Sequence, residues 1–487
     1  MAPSMLSNEH IRLAVVGGTV EALLLILAIT GHAHTTARMP KGSSRFLISL
    51  YLPDPVADGS TDNGASDDDD DIIFLGKHAV EVLKRLELDR SFWSIAALHS
   101  DFPDKRHVWL QLRTVNALIG EISSWPHGIS ASTTTRAFRA LLYSLLPPSV
   151  TVHTKQLARY STPGADAIVD LYFEDGSTDT CDILIGACGI HSPVLQCTFP
   201  NVVPRDSGII MYTASVETST LRKIVGDEKA VLPQLYVSLN RAFITLPGPN
   251  PNKTSVYLYV NGLQPDSEEE CTPESEPQTS SATDLAGFVA DWSEELYKIA
   301  LFTTNVKVRS LYELPELPSY TSGRVTLIGD DAHRMLPLHQ AGPGAGIEDA
   351  YILSQVLLSG AMNPLTKIEV LKTYTFVRHP RTSKVHRFSR EARDLLFLKD
   401  IDPNDPKELE QLLRRLQARY SWIFDWNIGE DALWAVRELV RDNTVDKNSN
   451  GGILGAGSLS SIAEEMKVLS STGLGHAERH RDHVFNM

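Results

Sequence analysis

The length, composition and charge of the chain limit what it can be. Its 487 residues, 42% of them apolar, suffice for a large domain with a second one inserted into it. A net charge of −15 argues against nucleic acid or an anionic membrane as a partner, because both surfaces would repel it. The four cysteines show no Cys-x-x-Cys spacing, which predicts neither a metal site nor a disulfide framework and favours a reducing, cytoplasmic location.

Residues 12–29, RLAVVGGTVEALLLILAI, follow the strand-turn-helix pattern of a dinucleotide-binding unit. Gly17 and Gly18 are predicted to form the turn that holds the cofactor's diphosphate. Thr19 stands where the pattern needs a glycine, and Glu21 puts a carboxylate in the first helical turn, where it repels phosphate. The apolar part of the helix is too short to cross a bilayer, so no membrane span is predicted.

The next segments lack a residue expected to bind the adenosine diphosphate part of a dinucleotide. A predicted second strand, 45–51, runs into Leu52 without the carboxylate that would bind a ribose, and Asp54 is the nearest one. Ahead of the predicted helix 139–146, Arg136 is the residue that could reach a phosphate.

A second sheet is predicted in the middle of the chain, where short apolar and alternating runs recur between turn residues. This sheet would carry the substrate site. Its candidate strands are 208–214, 236–239, 243–246 and 255–260. A polar segment, 263–283, follows and is predicted to be a loop.

Residues 323–353, GRVTLIGDDAHRMLPLHQAGPGAGIEDAYIL, are the most informative part of the chain. A buried strand is predicted at 325–328, and Gly329 ends it with a sharp turn. Asp330 then lies at the strand's carboxyl end, the edge at which open α/β sheets bind ligands. A carboxylate there can accept hydrogen bonds from a ribityl chain.

A loop and a helix complete this unit. The loop residues predicted to approach the ligand are Gly342, Pro343 and Gly344. The helix is predicted to begin near Ile347 and to point its free N–H groups at the ligand. Together with Asp330, this arrangement predicts a flavin site.

The segment 323–353 resembles the class A flavoprotein monooxygenases, and within them the salicylate hydroxylase-like branch common in fungi. Residues 182–194, 374–396 and 420–428 resemble further parts of the same family. The resemblance implies an α/β fold: a Rossmann-like FAD-binding domain of the p-hydroxybenzoate hydroxylase type with an inserted β-sheet substrate domain and C-terminal helices. The domains it implies are a discontinuous FAD-binding domain at 10–200 and 305–395, a substrate sheet at 201–304, a helical region at 396–445 and a flexible tail at 446–487.

The chain also departs from that family. In the stretch GACGIHSPVL, Cys188 replaces an aspartate that in the family links flavin and nicotinamide-cofactor binding, and Leu195 replaces an arginine. Alignment on the helix 139–146 puts Thr134 where another arginine is expected. We therefore expect a degenerate site, in which the diphosphate half is eroded and the ribityl and ring half is kept. A reactive role for Cys188 is less favoured than that of a small buried filler.

Two function classes follow. The first is an FAD-dependent, NAD(P)H-consuming monooxygenase of secondary metabolism that hydroxylates a phenolic or polyketide-type small molecule. Its FAD binding would be weak. The second is a flavin-independent cyclase, isomerase or dehydratase that reuses the same cleft. The sequence identifies no catalytic acid or base, and the predicted cofactor contacts are Gly17, Gly18, Arg136, Asp330, Gly342, Pro343 and Gly344.

Overall fold

The computed structural model describes residues 10–31, 45–53, 72–98, 108–123, 131–164, 166–189, 192–262, 277–362 and 366–446. Its strands are β1 (Ile11–Val16), β2 (Phe46–Leu52), β3 (Ile72–Leu75), β4 (Ala97–Leu98), β5 (Val108–Thr114), β6 (Leu118–Ser123), β7 (Ala131–Thr134), β8 (Thr151–Thr154), β9 (Leu157–Ser161), β10 (Val169–Phe173), β11 (Thr178–Cys181), β12 (Ile183–Gly186), β13 (Arg205–Glu217), β14 (Gln234–Ser238), β15 (Arg241–Pro247), β16 (Lys253–Asn261), β17 (Gln278–Thr279), β18 (Thr304–Glu313), β19 (Thr321–Ser322) and β20 (Val325–Leu327). Asp54, most of the predicted polar loop and the predicted tail beyond residue 446 lie outside the described residues.

The helices alternate with these strands in the first part of the chain and follow one another at its end. They are α1 (Val20–Thr30), α2 (Lys77–Arg85), α3 (Asp89–Trp93), α4 (Thr135–Ser144), α5 (Pro193–Thr198), α6 (Thr218–Val225), α7 (Asp227–Val231), α8 (Ala282–Gly287), α9 (Glu294–Leu301), α10 (Asp330–His333), α11 (Gly342–Met362), α12 (Lys367–Leu396), α13 (Pro406–Phe424) and α14 (Ile428–Asp446), with a 3₁₀ turn at Pro337–His339. Among the described residues, no helix is both long and apolar enough to cross a membrane.

A six-stranded sheet in the order β19-β20-β12-β1-β2-β8 forms the first layer. Its strands are parallel except at the β19 edge. Residues 13–16 and 183–185 are buried, as expected for parallel strands covered by helices on both faces. Helix α1 is buried from Ala22 to Thr30. The predicted Rossmann-like α/β unit is confirmed.

An eight-stranded sheet in the order β17-β18-β13-β16-β15-β14-β5-β6 forms the second layer. The four predicted strands are β13, β14, β15 and β16. The predicted limits of this sheet, 201–304, were too narrow, because β5 and β6 join at one edge and β18 lies near the other. Strand β5 pairs in parallel with β14, with Gln111 opposite Gln234, and no local pattern predicts a pairing across 123 positions of sequence.

The two faces of the eight-stranded sheet pack against different elements. On one face lie α6, α7, α8 and α9, around a core that includes Phe243 and Leu258. The other face packs on residues 335–345 and on helices α12 and α13. This second core therefore fills the space in which the sheet meets the segment that follows Asp330.

The described residues up to Leu439 form one compact unit. The predicted C-terminal helices are present as α13 and α14, and the segment 374–396 lies within α12. The prediction for α11 was wrong at its start: the helix begins at Gly342, because its glycines and proline form the first turns instead of a loop.

Candidate functional site

The turn between β1 and α1 has the geometry predicted for it. Gly17 has a φ of 112°, and a methyl group built on it would overlap the carbonyl oxygen of Ala187 in the loop after β12. Only glycine fits there. The Gly17 N–H donates to the carbonyl of Tyr51 at 3.0 Å, and the Gly18 carbonyl accepts from Arg139 Nε at 2.7 Å. The turn is thus fixed by three neighbouring segments.

Thr19, the departure from the glycine pattern, caps helix α1. Its φ and ψ are −71° and 166°, an extended conformation open to any residue, and its Oγ1 accepts the N–H of Ala22 at 3.4 Å. A threonine at this position therefore satisfies one of the free N–H groups that a phosphate would otherwise use.

Asp330 lies at the carboxyl end of β20, as predicted, and begins α10. Its side chain is 41% exposed and pairs with Arg334 at 2.8 Å. The preceding Gly329 has a φ of 61° and a ψ of −136°, a conformation open almost only to glycine. The sharp turn therefore presents the Asp330 carboxylate outward from the sheet edge.

Asp349 in α11 fixes the turn at Gly329 by hydrogen bonding. Its carboxylate accepts the Gly329 N–H at 3.0 Å and Arg378 Nε at 2.7 Å, and its Oδ2 lies 2.5 Å from His333 Nε2. All three side chains are buried. Burial would raise the pKa of Asp349, but the charges of His333 and Arg378 outweigh this effect and lower it.

The neighbouring Glu348 is bound in the same way. Arg378 and Arg381 of α12 approach its carboxylate to 2.9 and 2.6 Å. Burial would raise the pKa of Glu348, but the charges of these arginines outweigh this effect and lower the pKa to about 2. The acidic pair of the IEDA segment therefore serves to lock α11 onto α12 and leaves Asp330 as the carboxylate turned to the site.

Glu21 lies in the space that two glycines open. A methyl group built on Gly329 would overlap its carboxylate oxygen, and one built on Gly346 would come within 3.4 Å of its Cδ. Burial and, after it, the charge of Asp330 raise the pKa of Glu21 to about 7. Both glycines thus face an acidic side chain of the protein itself.

A second unusual carboxyl group, Asp331, faces the loop after β12. It is fully buried and accepts the N–H of Gly189, and burial raises its pKa well above the usual range. Cys188 in the same loop donates its thiol to the Val16 carbonyl at 3.2 Å. Burial and then the charge of Asp331 raise the pKa of Cys188, so it remains a thiol, in keeping with a filler.

The predicted contacts at the start of α11 lie on different sides of the helix. Pro343 is exposed, whereas Gly344 faces His78 of α2 so closely that a methyl group would overlap the ring. Burial lowers the pKa of His78 to about 4, and its ring stacks on Phe424 at 5.3 Å. Gly344 therefore lies against the neutral imidazole ring of His78 and not at the edge of a loop.

The predicted phosphate ligand Arg136 is exposed in the first turn of α4. One turn later, Arg139 reaches the Gly17–Gly18 turn instead. Leu52 is buried at the end of β2 and Leu195 is buried in α5, so neither position carries a polar group toward a ribose or phosphate. Phosphate binding by Arg136 stays a prediction, whereas Arg139 is the cation that contacts the Gly17–Gly18 turn.

Sequence reasoning missed Arg139, Asp331 and the position of Glu21. A signal existed for two of them. Arg139 follows Arg136 by three residues, which puts both on one side of the helix. Asp331 directly follows the predicted site residue Asp330. Nothing in the sequence shows how the Glu21 side chain is oriented.

The Gly17–Gly18 turn, the start of α1, Gly329, Asp330 and the start of α11 form the candidate cofactor cradle. A small cavity lies between the eight-stranded sheet and the 3₁₀ turn that follows Asp330 in the chain. It encloses about 10 Å³, the room that one water molecule needs. Most of its wall is apolar. The lining residues are Trp109, Leu110, Pro233, Gln234, Leu235, Ile244, Leu246, Leu338, Gln340 and Tyr420.

The chain is similar to several known proteins. A family model described as an FAD binding domain matches residues 162–389. A salicylate hydroxylase from Pseudomonas putida is 28% identical over 438 residues, which cover 86% of this chain and 94% of that protein. A solved structure described as a salicylate hydroxylase substrate complex superimposes with a TM-score of 0.72 at 26% identity, covering 88% of this chain and 98% of the other.

The chain is similar over most of its length to salicylate hydroxylase-like class A flavoprotein monooxygenases. The resemblance predicted from the sequence is confirmed, and with it an FAD-binding domain. A further relative, 6-methylsalicylate 1-monooxygenase of Aspergillus terreus, is 26% identical over 412 residues, 81% of this chain and 85% of that protein. The fungal type and the degenerate state of the cofactor site stay predictions.

Proposed function

We propose that this protein is an FAD-dependent monooxygenase that uses NAD(P)H and O₂ to hydroxylate a small phenolic or polyketide-type aromatic compound. The observation that carries the proposal is that one segment joins both halves of the site. From Asp330 in the cradle the chain continues directly to Leu338 and Gln340, which line the cavity under the eight-stranded sheet. A cofactor held at the first point would adjoin a substrate held at the second.

The residues of the cradle fit FAD in part. The Gly17–Gly18 turn and the start of α1 would face the diphosphate, and Asp330 would accept hydrogen bonds from the ribityl hydroxyls. The N-terminus of α11 adds a positive dipole end. When bound, the cofactor supplies the activation of O₂ and the transfer of one oxygen atom, for which NAD(P)H provides the electrons.

The cavity would provide the substrate site. Its walls are mostly apolar, and Gln340 and Tyr420 offer polar groups that can orient a phenolic hydroxyl. Burial raises the pKa of the Tyr420 hydroxyl, which therefore stays protonated and able to donate. A benzene-sized guest needs roughly 150 Å³, so the cavity must widen when substrate binds.

The names of the similar proteins support an aromatic substrate, since those proteins act on salicylate and 6-methylsalicylate. We also propose that the protein works in the cytoplasm and in secondary metabolism. The cysteine spacing supports the location, and the relative from Aspergillus terreus supports the metabolic role.

The test is incubation with FAD, NADPH and labelled ¹⁸O₂, using salicylate, 6-methylsalicylate and an extract of a strain that lacks the protein. A second arm omits nicotinamide and O₂. The expected result is one ¹⁸O atom in the product of the aerobic arm only, with one NADPH consumed per product, and no product from Asp330→Ala. Equal conversion in both arms, to a product isomeric with its precursor or one water lighter, would instead establish the flavin-independent cyclase, isomerase or dehydratase.

A further inference from the structure

Within the cofactor cradle, the side chain of Glu21 occupies the space that Gly329 and Gly346 leave open by lacking side chains. Gly329 belongs to the turn after β20 and Gly346 to α11, and both lie against the Glu21 side chain. These two segments and the start of α1 are the three that would surround a bound dinucleotide. The Glu21 carboxylate therefore lies where the diphosphate and the ribityl chain would approach.

We propose that this protein binds FAD with the uptake of one proton, and that Glu21 is the group that takes it up. The inference rests on the proposed function, because it assumes that FAD is the ligand of this cradle. It identifies Glu21 as the residue that sets cofactor affinity, through the charge that Glu21 carries.

Hydrogen bonds from the Thr19 hydroxyl and from the backbone favour the Glu21 carboxylate, but burial and the acidic groups that face it outweigh them. Asp330 and Asp331 on α10, Asp349 on α11 and the hydroxyl of Tyr374 on α12 all interact with it electrostatically. Each is neutral or negative. A diphosphate would add two further negative charges at short range, which disfavours the carboxylate again.

The neighbouring cations are already engaged. Arg334 pairs with Asp330, and Arg378 and His333 pair with Asp349. On α4, Arg139 donates to the Gly18 carbonyl in the same turn. A neutral Glu21, in contrast, could remain beside the diphosphate and donate its proton to a phosphate oxygen.

The proton balance gives a quantitative expectation. Burial and Asp330 already raise the pKa of Glu21 to about 7 in the free protein, and bound FAD would raise it further. Below pH 7 the affinity should be nearly constant. Above it, the Kd for FAD should increase about tenfold per pH unit, which is about thirtyfold at pH 8.5.

The experiment titrates FAD into the full-length, flavin-free protein between pH 6 and pH 8.5, by calorimetry in two buffers of different ionisation enthalpy. Wild-type protein should take up close to one proton per FAD at pH 8. Glu21→Gln should take up none, show a flat pH profile and bind about thirtyfold more tightly than wild type at pH 8.5. Riboflavin, which lacks the diphosphate, should bind the wild type with a shallower slope.

Two further variants make the assignment specific. Glu174→Gln removes a carboxylate from the exposed turn after β10 and should leave the wild-type slope intact. Asp331→Asn removes a carboxyl group with a raised pKa that interacts with Glu21. A slope that persists in Glu21→Gln but vanishes in Asp331→Asn would overturn the proposal, as would FAD binding that is independent of pH in the wild type.

The outcomes separate this inference from the proposed function. FAD binding with proton uptake, but without O₂-dependent product, would leave Glu21 as the proton acceptor and refute the monooxygenase. Labelled product with pH-independent FAD binding would do the opposite. Failure of FAD to bind both the wild type and Glu21→Gln at every pH would overturn the inference, because Glu21 would then not limit binding.

Discussion

The raised pKa of Glu21 also predicts a pH-dependent gain in stability when this residue is replaced by the uncharged, isosteric glutamine. Between pH 4.5 and about 7, the folded protein keeps a proton on Glu21 that the unfolded chain has already released. The free energy of unfolding therefore falls as the pH rises through this window, and the full penalty applies above it. A rise of the pKa from 4.5 to about 7, at about 1.4 kcal/mol per unit, corresponds to about 3 kcal/mol.

The assay is urea unfolding of flavin-free protein at pH 5 and pH 8, followed by tryptophan fluorescence. Glu21→Gln should match the wild type within about 1 kcal/mol at pH 5 and exceed it by about 3 kcal/mol at pH 8. Glu174→Gln, an exposed control, should differ by less than about 0.5 kcal/mol at both values. A gain of equal size at pH 5 and pH 8 would refute the reasoning, since it could not come from the charge.

Three further predictions concern other parts of the cradle. Asp330→Ala should abolish flavin retention during purification, since each lost hydrogen bond weakens binding by about 1–3 kcal/mol, and a normal flavin absorption spectrum in this variant would contradict the assignment. Arg378→Met should lower the free energy of unfolding by about 3–5 kcal/mol, because it leaves two buried carboxylates short of a partner, whereas Arg414→Met on the exposed face of α13 should cost less than about 1 kcal/mol in the same urea titration. Gly17→Ala should destabilise by at least about 2 kcal/mol, from positive φ and overlap with the Ala187 carbonyl, and a thermal shift close to zero would count against that geometry.

The turn at Gly17, the strand β20 and the position of Asp330 could all be predicted from the sequence. Each depends on a pattern within about ten residues: an apolar run that suits a buried strand, followed by glycines where the backbone must turn. The same holds for the four strands predicted in the substrate sheet. Because these signals are local, they needed no knowledge of the rest of the chain.

Only the tertiary structure decided what surrounds those residues. The pairing of β5 with β14 joins segments more than a hundred residues apart, and the cavity beside Gln340 exists only because that pairing places Trp109 there. The sequence shows a glutamate at position 21, but its contact with Gly329 and Gly346 arises from three separate segments. Its raised pKa follows from burial, and burial is a property of the folded chain that no local pattern contains.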